Sequence, residues 1–198
     1  MSRIPPRPRR EVPELESHFA ALGERMGFVP NSMFVMAHRP ALVEALTDLS
    51  RVVYDPDARV SLQLRNLVGH IASRAAGCMY CAAHAANNSS RSGIEDAKLA
   101  AIWEFETSEL FTARERAALR LALAAASVPN AVTDELVDEA SAHFDAEELV
   151  EIMTVVAWFG FLNRWNDSLA TELEEIPAST ASRTVAAGGW HPGKHVRT

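Results

Sequence analysis

The chain has 198 residues, 48% of them hydrophobic, and a formal net charge of −7. That suits one domain with arms and a sizeable core, and it argues against a nucleic-acid-binding surface, which would show a basic face. The longest apolar run, residues 155–162, is too short to span a bilayer. The charged, proline-rich start lacks the apolar stretch of a secretory signal, so a cytoplasmic protein is expected.

Arg3, Arg7, Arg9 and Arg10 alternate with Pro5, Pro6 and Pro8, which reads as a flexible, solvated N-terminal arm over 1–10. Residues 11–26 carry Val12, Leu15, Phe19, Leu22 and Met26 at helical spacing and form the first expected helix. Gly27 and Pro30 break it. A second helix over 40–53 puts Leu42, Leu46, Leu49 and Val53 on one stripe, and Pro56 turns the chain. Residues 61–76 follow, with Leu64, Leu67, Val68 and Ile71 as the apolar face. Gly77 stands where a helix cap would stand, so the next helix begins at or beside Cys78 and runs to about Asn87. Ser92 with Glu95, Thr112 with Glu115 and Asp145 with Glu148 have capping-box spacing. They predict helices through Trp103, over 113–127 and over 147–165, with a further helix over 133–143 after Pro129. No alternating β-branched run appears, so the fold class is all-α. The helical domain is expected over 11–176. Residues 177–198 are rich in small and turn residues and read as an irregular C-terminal arm anchored by Trp190. Such an anchor needs a receiving surface, on this subunit or a neighbour, and favours a homo-oligomer.

The two cysteines, Cys78 and Cys81, are three residues apart, with His84 three residues further on. At a helix start the free backbone N–H groups and the dipole favour a thiolate, which points to Cys78 as the more acidic thiol. Such a pair can lower a cysteine pKa from about 8.5 to near 7, and residues i and i+3 share a face, so a disulfide can close. The pair then holds an attacking and a resolving thiol. His84 could handle the protons, and His70, on the preceding helix, could fold back toward the pair. Two further readings stay open on spacing alone. The cysteines could be inert buried hydrophobes, or Cys78, Cys81, His84 and His70 could hold zinc. The missing second ligand pair weakens the zinc reading.

The segment "LRNLVGHIASRAAGCMYCAAHAA" resembles the active-site segment of the carboxymuconolactone decarboxylase superfamily, and more closely its AhpD-like alkylhydroperoxidase branch. Further segments, among them "GFVPNSMFVMAHRPALVEA" and "FGFLNRWND", extend the likeness over residues 20–172. The resemblance implies an AhpD-like helical bundle that forms a homo-oligomer and uses no metal or organic cofactor. It also implies a peroxidase in which Cys81 attacks a hydroperoxide, Cys78 resolves the sulfenic acid and a dithiol partner restores the pair. Two positions depart from the pattern. Asn66 stands where the family usually has a relay glutamate, and an asparagine cannot accept a proton at neutral pH. Ala85 stands where the best-known members carry the relay histidine. His84, one residue earlier, is rotated from that position by about 100°. His70, four residues after Asn66, is a candidate to replace the missing base.

The leading expectation is a thiol-dependent peroxidase or disulfide oxidoreductase acting on an organic hydroperoxide, with Met79, Tyr80 and Trp165 supplying an apolar neighbourhood. The alternatives are a decarboxylase-like lyase or isomerase acting on a small acid or lactone, and a non-enzymatic redox-sensing oligomer. In "NRWND", residues 163–167, Arg164 and Asp167 are spaced to pair on a helix, as a polar lock or subunit contact.

Overall fold

The computed structural model describes residues 2–196. Among them no strand occurs, and ten α-helices follow one another. They are α1 (Glu16–Met26), α2 (Asn31–Met36), α3 (Pro40–Val53), α4 (Leu62–Ala75), α5 (Met79–Arg91), α6 (Asp96–Ala100), α7 (Ala113–Ala126), α8 (Asp134–Ser141), α9 (Ala146–Leu169) and α10 (Glu175–Thr184).

The hairpin of α4 and α5 is the centre. α4 packs on α5, α7 and α9, while α5 also meets α9 and α10. Every residue from Leu64 to Ser73 is buried, as is every residue from Tyr80 to Asn87. A helix covered on all sides needs small or apolar residues around its whole circumference. Ala82, Ala83, Ala85 and Ala86 meet that need in α5. Gly69 meets it in α4, where an added Cβ would lie 2.3 Å from the Phe159 ring of α9. Gly77 turns the hairpin with φ +70°, a conformation that suits glycine. The buried Arg65 ties α4 to the end of α3 by donating to the Val53 and Asp55 carbonyls.

Local chemistry explains where the elements depart from their sequence-based bounds. Pro13 splits the first expected helix, so 3₁₀ turns at Arg9–Glu11 and Pro13–Leu15 precede α1. Capping boxes form at Thr112/Glu115 and at Asp145/Glu148. The one expected at Ser92/Glu95 does not form. α5 continues to Arg91, and the Ser92 hydroxyl closes that helix by donating to the Ser89 carbonyl. α6 is then short and has no side-chain cap. The C-terminal arm is helical over α10. Pro177 is tolerated there because it lies in the first turn, where backbone N–H groups have no intrahelical acceptor. Of the described residues after Thr184, all but the 3₁₀ turn Gly193–His195 are irregular, and Trp190 anchors this stretch on the same subunit by donating to the Met79 carbonyl. The N-terminal arm is extended and pinned, with the Arg3 and Arg7 N–H groups on the Leu169 and Phe34 carbonyls. No helix among the described residues is long and apolar enough to cross a membrane.

Candidate active site

The α4–α5 turn sets the two cysteines in different surroundings. Cys78 is the N-cap of α5, and its sulfur accepts the Cys81 backbone N–H at 3.3 Å. Cys81 lies one turn into the helix on the wall of a mostly apolar cavity of about 320 Å³. Leu22, Met33, Trp158, Phe159 and Leu162 contribute to that wall, and Arg25 and Arg91 also line it. Cys78 is not part of the lining. Both are free thiols. Burial pushes the Cys81 thiol up, and the adjoining Cys78 adds to the effect. The Asn166 side-chain amide, 3.5 Å from the Cys81 sulfur, pulls the other way. Cys81 therefore rests as a thiol and needs a base before it can attack.

His84 lines the same cavity. Its Nε2 lies 2.7 Å from Oε2 of Glu174, and its ring stacks on Tyr80 with centroids 4.4 Å apart. Glu174 reaches the site because Ala170 ends α9 in a left-handed conformation, φ 49°, and the chain turns back toward α5. Its other oxygen accepts the Tyr80 hydroxyl at 2.8 Å and the Asn31 N–H. Burial would raise the Glu174 pKa, but the charge and hydrogen bond of His84, with the Asn31 and Tyr80 donors, hold it below the usual carboxylate value. An ionised carboxylate only accepts, so His84 donates from Nε2. Burial, with Glu174 beside it, raises the Tyr80 pKa well above that of a free phenol, so its hydroxyl stays a donor.

The structure thus brings Cys81, Cys78 and His84 together and sets His70 apart. The His70 ring is wholly buried in α4 and does not line the cavity. Burial and the Arg74 charge bring its pKa down to about 3, against the pull of the Ala82 backbone. A ring so hard to protonate makes a weak base. A carboxylate does stand beside His84, that of Glu174. Asn66 itself lines the cavity and donates to the Asn88 carbonyl and the Ser92 hydroxyl. Arg164 and Asp167 do not pair. Arg164 donates to the Gly160 carbonyl, and Asp167 pairs with Lys194. Tyr80 lines the cavity, while Met79 and Trp165 do not. Among the described residues, the one convergent set of three possible metal ligands is Cys78, Asp167 and His195. The four residues weighed for zinc do not form such a set. The Lys194 ammonium, 2.7 Å from Asp167, competes with any cation there.

Residues 40–124, which include the whole α4–α5 hairpin, match the carboxymuconolactone decarboxylase family. Over the longer span the chain resembles the debrominase Bmp8, with 32% identity and a TM-score of 0.85, covering 90% of this chain and 95% of that one. The chain belongs to the carboxymuconolactone decarboxylase family. That Bmp8 structure is a cysteine-to-alanine variant in complex with 2,3,4-tribromopyrrole. The fold is also that of a peroxidase-related protein from Ralstonia eutropha JMP134 with an alkylhydroperoxidase AhpD core. There the identity is 21% and the TM-score 0.77, over 89% of this chain and 94% of that one. A curated relative, the uncharacterised protein YnjA of Escherichia coli (strain K12), is 36% identical over 93 residues. The chain matches about half of that relative, 48% of its length.

Proposed function

We propose that this family member is a dithiol-dependent reductase of a small, apolar electrophile, with Cys81 as the attacking thiol. The observation that carries the reading is the asymmetry of the pair. Cys81 lines the cavity with His84, which Glu174 holds, and Cys78 contacts Cys81 without lining the cavity.

With an organic hydroperoxide, the Cys81 sulfur attacks the terminal oxygen and the O–O bond breaks. The thiol proton passes through His84 to the departing alkoxide, leaving an alcohol and a Cys81 sulfenic acid. Cys78 then forms the disulfide as water leaves, and an external dithiol restores both thiols. Asn166 is suited to hold the sulfur, and the Glu174 carboxylate to stabilise a charged His84.

A second electrophile is favoured by the likeness to the debrominase Bmp8. On a halogenated aromatic ring, Cys81 would take the halogen from carbon while His84 protonates that carbon. Cys78 would then release halide as the disulfide closes. Both reactions consume two thiols. They differ in whether alcohol or halide appears.

Free thiols are titrated, under dithiol turnover, against cumene hydroperoxide and against a brominated pyrrole, with alcohol and bromide measured. Loss of two thiols per molecule reduced is expected, faster than for a model dithiol, and Cys81→Ser is expected to abolish it. Product formation that survives Cys81→Ser would sink the reading.

A further inference from the structure

Cys78 has neighbours of its own, outside the cavity. Its sulfur, a carboxylate oxygen of Asp167 and a ring nitrogen of His195 lie within 4.8 Å of one another. His195 belongs to the 3₁₀ turn Gly193–His195 near the chain end, yet it is only 1% exposed. Its Nδ1 lies 2.7 Å from the Thr171 carbonyl oxygen. A carbonyl can only accept, so Nδ1 carries the hydrogen and Nε2 of the neutral ring carries a lone pair. That Nε2 is buried without a hydrogen bond. It faces Asp167 Oδ1 at 3.7 Å, where two acceptors oppose each other. A buried acceptor with no donor is costly. A proton arriving on Nε2 would turn this opposition into an ion pair.

We propose that His195 is the proton acceptor for Cys78, activating the second thiol as His84 serves the first. This rests on the reading that the two cysteines exchange electrons. As the Cys78 sulfur attacks the Cys81 sulfenic acid, the S–S bond forms and the S–O bond breaks. The Cys78 proton moves to His195, and the departing hydroxide takes a proton from solvent and leaves as water. When a dithiol reduces the disulfide, His195 returns its proton to Cys78, Cys81 takes one proton of the dithiol, and the dithiol's other proton goes to solvent. The charged ring would be held between the Thr171 carbonyl and Asp167. The groups facing it are Cys78 and Tyr80, whose ring centroid is 5.7 Å away, Asp167 of α9, and Lys194 on its own turn. Burial lowers the His195 pKa and Lys194 adds to this, against the Thr171 carbonyl and Asp167. The ring is therefore neutral and ready to accept.

The test uses the full chain carrying Cys81→Ser, in which Cys78 is the only thiol. Its alkylation by iodoacetamide is followed against pH. Adding His195→Gln is expected to move the midpoint of the profile up by about one pH unit, cutting the rate below it about tenfold. Trp190 fluorescence checks that the arm stays docked. If the arm is lost, Asp167→Asn decides by sign. Removing the carboxylate raises the midpoint if it stabilises a charged His195, and lowers it if it merely repels a thiolate. An unchanged midpoint in His195→Gln with the arm docked, or a lowered one in Asp167→Asn, overturns the proposal. Alkylation needs no substrate. A chain that passes this test but reduces neither electrophile counts against the proposed function and leaves His195 standing.

Discussion

His70 shows how one residue can be central in position without joining the chemistry. Its folded pKa of about 3 lies far below the ordinary 6.5. Below pH 6.5 the unfolded chain takes up a proton there that the folded chain refuses. Stability is therefore complete above that pH and is lost as pH falls, until the folded ring protonates near 3. The slope from this one group approaches about 1.4 kcal/mol per pH unit. His195, also lowered, adds a loss of the same sign, and Glu174, held below its ordinary 4.5, adds one below that value. Urea unfolding at pH 7, 6 and 5 is expected to show this decline, and His70→Gln to flatten it whatever its own stability at pH 7. Equal slopes for both proteins would show that His70 does not carry the acid sensitivity.

Among elements, the α4–α9 contact is the most exacting. A Gly69→Ala side chain would meet three atoms of the Phe159 ring within 2.8 Å. Because that ring also walls the cavity, its displacement reshapes the space that Cys81 lines. Overpacking of this kind costs about 1–3 kcal/mol, so Gly69→Ala should lower the urea midpoint and raise KM. Gly69→Ala with Phe159→Leu should recover part of both. A double variant no better than the single one would place the strain elsewhere. The same scale shows what the sequence could tell. The α4–α5 turn, Cys81 and His84 sit within a few residues of each other, so spacing alone put them on one helix start. Two capping boxes were legible because each is closed by its own four residues. Ser92 misled because an adjoining helix claimed its hydroxyl first. Glu174 and Asn166 reach the site from 90 and 85 residues away. Asn166 stands in the polar NRWND run near the end of α9 and could be read there as pocket-lining. No local pattern marks Glu174, and only the carboxylate missing at Asn66 signals that one must come from elsewhere.

At the scale of the molecule, the anchoring of Trp190 no longer argues for assembly, because it is satisfied within its own subunit. α9 supplies a different reason. Its inner face packs on α4, α5 and α7, yet its outer face is also apolar, with Val150 66%, Met153 38% and Phe161 39% exposed. Residues 150, 153, 157 and 161 form one stripe at helical spacing. An antiparallel crossing of two such helices about Ala157 would place Met153 of each copy against Phe161 of the other, with Gly160 allowing close approach. Such a contact is self-complementary, as a two-fold interface must be, and a helix apolar all round is ordinarily covered all round. A homo-oligomer built on this face is the expected state. Sedimentation of the reduced protein should give a dimer or larger, and Phe161→Glu should shift it toward the monomer by setting two carboxylates against apolar surface. Because Phe161 lies outside the Cys81 cavity, the variant should keep its thiol titration. A wild-type monomer at high micromolar concentration, or an unchanged Phe161→Glu oligomer, would exclude this face as the interface.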